Sequence, residues 1–215
     1  MPNTGHFFTF EGPDKAGKST QIARLSQRLQ EAGYEVIVTR EPGGTELCED
    51  IRKLVMAPRE DKPTPETELL LFAASRAQLV RKLIVPALEQ GKIVLCDRFA
   101  DSTVAYQGEA RGLPVETITF LNDFCLQACR PELTFLFDLP VEESLRRLRG
   151  MTTGQGTDDR FEQEDRQFRE AVRRGFLKVA RREPDRVKVI DATLPVDEVT
   201  AIILGEISHA VPGIF

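Results

Sequence analysis

Gly12-Pro13-Asp14-Lys15-Ala16-Gly17-Lys18-Ser19 matches the pattern GxxxxGK[ST] at every fixed position. It follows an apolar run, His6-Phe7-Phe8-Thr9-Phe10, and precedes Ile22, Leu25 and Leu29 at helical spacing. Strand, glycine loop and helix in that order make a cradle for phosphate. The glycines let backbone N–H groups converge on phosphate oxygens, and the helix N-terminus adds a positive field. Lys18 can reach the β- and γ-phosphates of ATP, and Ser19 offers its hydroxyl to Mg²⁺. A fortuitous glycine turn would lack this flanking strand and helix. The expected ATP-binding set is Gly12, Pro13, Asp14, Lys15, Ala16, Gly17, Lys18, Ser19 and Thr20.

Outward from this loop the chain alternates short apolar runs with longer helical stretches. Val36–Val38, Ile93–Cys96, Leu133–Phe137 and Val187–Ile190 read as four further strands. Thr64-Pro65-Glu66 opens a long helix, with Pro at its first position and acids in its first turn. That helix is expected to run to about Leu88, bent near Pro86. Shorter helices are expected around Asp101–Gln107 and Pro114–Ala128, and a last one from Pro195. Strands alternating with helices predict an α/β architecture: a P-loop NTPase fold, with a five-stranded parallel sheet and helices on both faces. Gly150–Thr157 is Gly/Thr-rich and too short for a linker. It reads as a short lid, about 146–161, on a single P-loop domain spanning 1–215.

The 215 residues carry 29 basic and 34 acidic side chains, a formal net charge of −5. Bulk attraction to nucleic acid or to an anionic membrane is therefore not expected. No apolar run approaches membrane length and the first residues lack a signal pattern, so a cytoplasmic location is expected. Four cysteines without a CxxC pair suggest reduced, buried thiols. Two histidines and no GxSxG weigh against a His-rich metal site and a Ser-His-Asp hydrolase.

Phosphate-binding loops serve many chemistries, so other motifs must choose among them. A guanine-selecting NKxD is absent. Two strands end in Asp, at Asp97 and Asp138, and either could hold a water on Mg²⁺. Asp97 is favoured because Arg98 follows it at once, whereas Leu139-Pro140 after Asp138 looks structural. Arg40 also leaves a strand end, and guanidinium grips two phosphate oxygens in one plane. Phe72 and Arg76 share a helix face and could hold a base by stacking and hydrogen bonding. Arg98, Ser102, Tyr106 and Gln107 can point the same way on the next helical turn. Eleven arginines from Arg146 to Arg186 are offset by eight acids, so most form ordinary helix surface. Arg146, Arg147, Arg149 and Arg160 flank the lid stretch and could swing onto ATP.

Taken in order, these motifs resemble the thymidylate kinase family. The resemblance runs from Phe7 to about Val199. It rests on Phe10–Thr20, Thr39–Thr45 with Glu49–Arg52, Leu71–Ala77, and Asp97–Phe99 with Ala105–Gly108. Asp159-Arg160-Phe161-Glu162 resembles the family's lid end. The resemblance implies a dTMP kinase: ATP and dTMP give ADP and dTDP with Mg²⁺, a step toward dTTP. The alternatives are a kinase for another nucleotide or deoxynucleoside, or a P-loop ATPase without an acceptor. Lys15, Lys18 and Arg98 would be catalytic, and Arg149 and Arg160 would join the ATP site. Asp14 would bind the 3′-hydroxyl, while Arg40 and Arg98 would hold the acceptor phosphate. Phe72 would stack on thymine and Arg76 would bond its O4. Ser102, Thr103 and Gln107 would line the pocket, and Tyr106 would exclude a 2′-hydroxyl. Ser19 and Asp97 would hold the metal, and adenine would lie near Asp191-Ala192-Thr193. Family members are usually homodimers. The family places a mobile cation either in the P-loop or inside the lid. Met151–Asp159 has none, so Lys15 is expected to serve.

Overall fold

Five β-branched and aromatic-rich segments pair in parallel, the three central ones as near-continuous apolar runs buried on both faces. In the computed structural model, which describes residues 5–151, 160–161 and 163–215, they are β1 (His6–Glu11), β2 (Val36–Arg40), β3 (Ile93–Asp97), β4 (Leu133–Asp138) and β5 (Val187–Asp191). The order across the sheet is β2-β3-β1-β4-β5, with every pair parallel. The chain moves one way from β1 and later the other. The C-terminal end of β1 therefore sits at the switch point, where ligands of open α/β sheets collect.

The helices are α1 (Lys18–Glu31), α2 (Glu46–Met56), α3 (Pro65–Leu79), α4 (Val85–Glu89), α5 (Ala100–Thr103), α6 (Val115–Leu126), α7 (Val141–Met151), α8 (Arg166–Arg182) and α9 (Val196–Ala210). On one face Ile22, Leu25 and Leu29 of α1 and Val199, Ile203 and Ile207 of α9 pack on Phe8, Phe10, Phe135 and Phe137. On the other, Leu79, Ile84 and Ala87 cover Phe7 and Val94, while Val172 and Phe176 of α8 cover Leu136 and Val187. All four cysteines are buried thiols, at positions 48, 96, 125 and 129.

Two helices differ from the sequence expectation. The long helix from Thr64 is not simply bent at Pro86. It widens into a π-helical turn at Val80–Ile84 before α4 begins. Pro86 lacks an N–H and its ring crowds the carbonyl four residues back, so the wider turn takes up the mismatch. The stretch after β3 is likewise only four residues of α-helix, followed by a π-helical segment at Val104–Ala110 that carries Tyr106 and Gln107. Most of the expected lid, residues 152–159, lies outside the described residues.

Candidate active site

Gly12 turns the chain out of β1 at φ 126°, where a Cβ would meet the Phe137 carbonyl oxygen at 2.4 Å. Only glycine fits there. Lys15 also takes a left-handed conformation, φ 60°, and Gly17 caps α1. The loop thus wraps around the first turn of α1. The Lys18 ammonium lies inside it, donating to the Pro13 carbonyl at 2.9 Å and the Gly12 carbonyl at 3.3 Å. Burial and the nearby Arg98 charge push its pKa down, against the carboxylates of Asp97, Asp14 and Glu11. Ser19 Oγ lies 3.5 Å from Asp97 Oδ2, and Lys18 Nζ 3.9 Å from Asp97 Oδ1. Asp138, by contrast, forms a two-pronged pair with Arg173 at 2.7 and 2.8 Å, a structural role.

Arg98 follows β3 in the left-handed region, φ 66°. Its Nη2 donates to Asp14 at 2.8 Å, and its guanidinium lies over the Tyr106 ring at 5.4 Å. Burial raises the Asp14 pKa, but the Arg98 and Lys18 charges outweigh it and hold this carboxyl well below the usual range. Burial pushes the Tyr106 phenol up to about 12, so it stays protonated at neutral pH. Arg40 is exposed at the edge of the same cavity, where its Nη2 donates to both Glu49 oxygens at 2.9 Å.

A cavity of about 670 Å³ opens at this sheet end, within the size range of small-molecule sites. Residues 14–20 of the loop, Arg40, Phe72, Arg76, Asp97, Arg98, Ser102, Thr103, Tyr106 and Gln107 all line it. The structure therefore brings together nearly every residue the sequence singled out. Phe72 is half-buried, with its ring 6.2 Å from that of Phe161. Arg76 is 1% exposed, and four of its five N–H groups go to Glu41, Asn122 and the Phe99 carbonyl. Ser102 Oγ donates to Glu11 at 2.6 Å rather than lying free. Thr103 Oγ1 is buried and has no partner among the described residues.

Two lid-flanking arginines are not among the described residues that line the cavity. Arg160 is not poised over the phosphates. It is buried against Glu68, Nη2 to Oε2 at 2.6 Å, and also donates to the Val55 carbonyl. A guanidinium in a buried ion pair cannot swing out cheaply. Arg149 is exposed on α7 and is not among the cavity-lining residues. Arg146 and Arg147 do line the cavity, and Arg147 donates to the Ala192 carbonyl at 2.9 Å.

Sequence reasoning missed three buried acids. Glu11 accepts N–H from Phe99 at 2.8 Å and from Ser102 at 3.1 Å, so it pins the backbone that follows the strained Arg98 turn. Burial first, then Asp101, pushes its pKa up to about 8, against the pull of Ser102, Arg98 and Phe99. Glu41 fixes the Arg76 guanidinium. Glu68 receives Gln107, Arg111 and Arg160. Glu11 had a visible signal: an acid closing the apolar run just before Gly12.

Known proteins resemble this chain over most of its length. The family model for thymidylate kinase matches residues 10–203. The chain belongs to the thymidylate kinase family. The thymidylate kinase of Pseudomonas putida (strain W619) is 51% identical over 193 residues, covering 90% of this chain and 91% of its own. That of Desulfosudis oleivorans is 48% identical over 97% of this chain and 98% of its own. The crystal structure of thymidylate kinase from Ehrlichia chaffeensis is similar at a TM-score of 0.76. It shares 35% identity and covers 94% of this chain and 97% of that one. The family's P-loop fold is the one described above, with a parallel five-stranded sheet. Among the described residues no helix is long and apolar enough to cross a membrane.

Proposed function

We infer that this enzyme transfers the γ-phosphoryl group of ATP to dTMP, giving ADP and dTDP. One observation carries the reading. The phosphate loop, the arginines Arg40 and Arg98, and the pair Phe72 and Arg76 all open onto one cavity. ATP phosphates would lie along 12–20, with adenine beside Asp191-Ala192-Thr193. The dTMP base would lie against Phe72 and Arg76, its 3′-hydroxyl on Asp14, its phosphate between Arg40 and Arg98.

The acceptor phosphate has a second pKa of about 6, so it is already a dianion at neutral pH and needs no general base. Catalysis is then alignment and charge neutralisation. Lys18 and Arg98 meet the charge that shifts between donor and acceptor, and Lys15 supplies the mobile positive charge. Keeping water from the γ-phosphoryl would fall to the expected lid about 146–161, most of which lies outside the described residues. Mg²⁺ fits the donor set: Asp97 Oδ1 is buried without a hydrogen-bond partner among the described residues, and the Ser19 hydroxyl faces the same carboxyl. Ser19 and Asp97 would hold the ion, which supplies charge neutralisation on the β- and γ-phosphates when bound.

The domain acts as a homodimer in the cytoplasm. The neighbouring helices α2, α3 and α6 expose Leu47, Leu54, Leu70, Phe120 and Phe124, an apolar face that a second copy would cover. The net charge of −5 argues against nucleic acid as a partner. Turnover of dTMP, dUMP, dGMP and thymidine by the purified protein tests the reading. dTMP should be the best acceptor; equal or better turnover of another would redirect the assignment.

A further inference from the structure

We infer that Glu68 is a positioning residue for base selection: it captures the amide nitrogen of Gln107, so that Gln107 presents its carbonyl oxygen to the base pocket. This rests on reading the cavity around Phe72 and Arg76 as the site of the acceptor's base.

Glu68 lies in the first turn of α3 and is 1% exposed. Its Oε2 pairs with Arg160 Nη2 at 2.6 Å and with Arg111 Nη2 at 3.3 Å. Its Oε1 accepts from Gln107 Nε2 at 2.6 Å and takes only a longer contact, 3.4 Å, from Arg111 Nε. With two guanidinium groups against it, the carboxyl offers acceptors alone. The nitrogen end of the Gln107 amide must therefore face Glu68. Gln107 is 2% exposed and lines the cavity, and with its Nε2 committed to Glu68 its Oε1 is the amide atom left to meet a ligand. The same cavity holds Arg76, whose one uncommitted N–H is on Nη1. Toward a base, the Gln107 carbonyl thus offers an acceptor and Arg76 a donor, beside the Thr103 hydroxyl, which can serve as either.

A pyrimidine imide edge, as in thymine, carries an N–H between two carbonyl oxygens and matches both. The amidine edge of cytosine carries a bare ring nitrogen beside an amino group and mismatches both. Phe72 stacking cannot tell these rings apart, because every base has a π-face. A free glutamine amide could not either, since it flips between its two orientations. Glu68 removes that freedom. No periodicity reveals the pairing, because Glu68 and Gln107 are 39 positions apart.

The substitution Glu68→Gln tests this. Arg160 and Arg111 would claim the new carbonyl oxygen at the Oε2 position, leaving an NH₂ against Gln107 Nε2. Gln107 would then rotate and present its own NH₂ to the base. For one mismatched buried hydrogen bond, kcat/KM for dTMP should fall about 10- to 100-fold. kcat/KM for dCMP should fall less or rise, so the dTMP-to-dCMP preference should drop at least about tenfold, with KM for ATP unchanged. An equal loss for both acceptors, leaving their ratio unchanged, would show Glu68 to be structural only. If Glu68→Gln does not fold, side-chain amide NMR of the wild-type enzyme decides. A Gln107 NH₂ that is exchange-protected without ligand and gives no NOE to bound dTMP supports the inference. An NOE from that NH₂ to the thymine ring overturns it. Absence of dTMP-dependent ADP release by the wild type would instead reject the functional reading itself.

Discussion

Replacing Arg98 with alanine separates catalysis from stability. The Arg98 side chain is 18% exposed and its partner Asp14 is 36% exposed, so water can solvate Asp14 when the guanidinium goes. A partly solvated ion pair is worth about 0–1 kcal/mol, and the contact with Tyr106 adds about 0.5–1. The left-handed φ of 66° strains alanine as it strains arginine, so that cost cancels. The fold should lose about 0.5–2 kcal/mol, or a few degrees in Tm for a chain of this length. Removing one transition-state stabiliser typically costs ~10²–10³ in kcat, equivalent to about 2.7–4 kcal/mol. ADP release at saturating ATP and dTMP, with calorimetric Tm, measures both. The exposed Arg181→Ala is the control. A folded Arg98→Ala enzyme with the control's kcat would refute the catalytic role of Arg98 and draw Asp97 into doubt with it.

Lys15→Gly should lower kcat strongly with modest change in KM, the pattern of an interaction made in the transition state. Glycine suits the φ of 60° there, so folding should be unharmed; a near-normal kcat beside a collapsed Arg149→Ala would move the mobile charge to α7. Phe72→Ala should weaken dTMP binding and leave ATP binding nearly unchanged by calorimetry, whereas equal losses would refute a base-specific role. Glu11→Gln tests a pH linkage. The folded pKa of about 8 exceeds the ordinary 4.5, so between those values the folded state keeps a proton the unfolded state has lost. Wild-type stability should therefore fall relative to Glu11→Gln as pH rises from about 5 to 8. A constant Tm difference across that window would contradict the raised pKa.

The sheet and the phosphate loop were legible because their signals are local. Apolar runs marked all five strands, and GxxxxGK[ST] between a run and a periodic helix marked the site. Residues at strand ends, Arg40, Asp97 and Arg98, could be placed once the sheet was parallel, since all such ends converge on one edge. What escaped was pairing between distant buried charges. Arg160 looked like a lid cation because nothing near it in sequence names Glu68, 92 residues away in number, as its partner. The Glu41–Arg76 pair is equally remote, and it decides how many of the Arg76 N–H groups remain for a ligand. The π-helical segment at 104–110 keeps the polar spacing of an ordinary helix, so periodicity could not distinguish it.

The central claim is that one cavity joins a phosphate donor to a nucleoside monophosphate acceptor. Following ATP and dTMP with the purified enzyme by ³¹P NMR tests it most directly, beside Lys18→Ala, which removes the charge on the β- and γ-phosphates. Stoichiometric ADP and dTDP from the wild type, no ADP without dTMP, and no transfer by folded Lys18→Ala are expected. ADP and inorganic phosphate formed at the same rate with or without dTMP would contradict it.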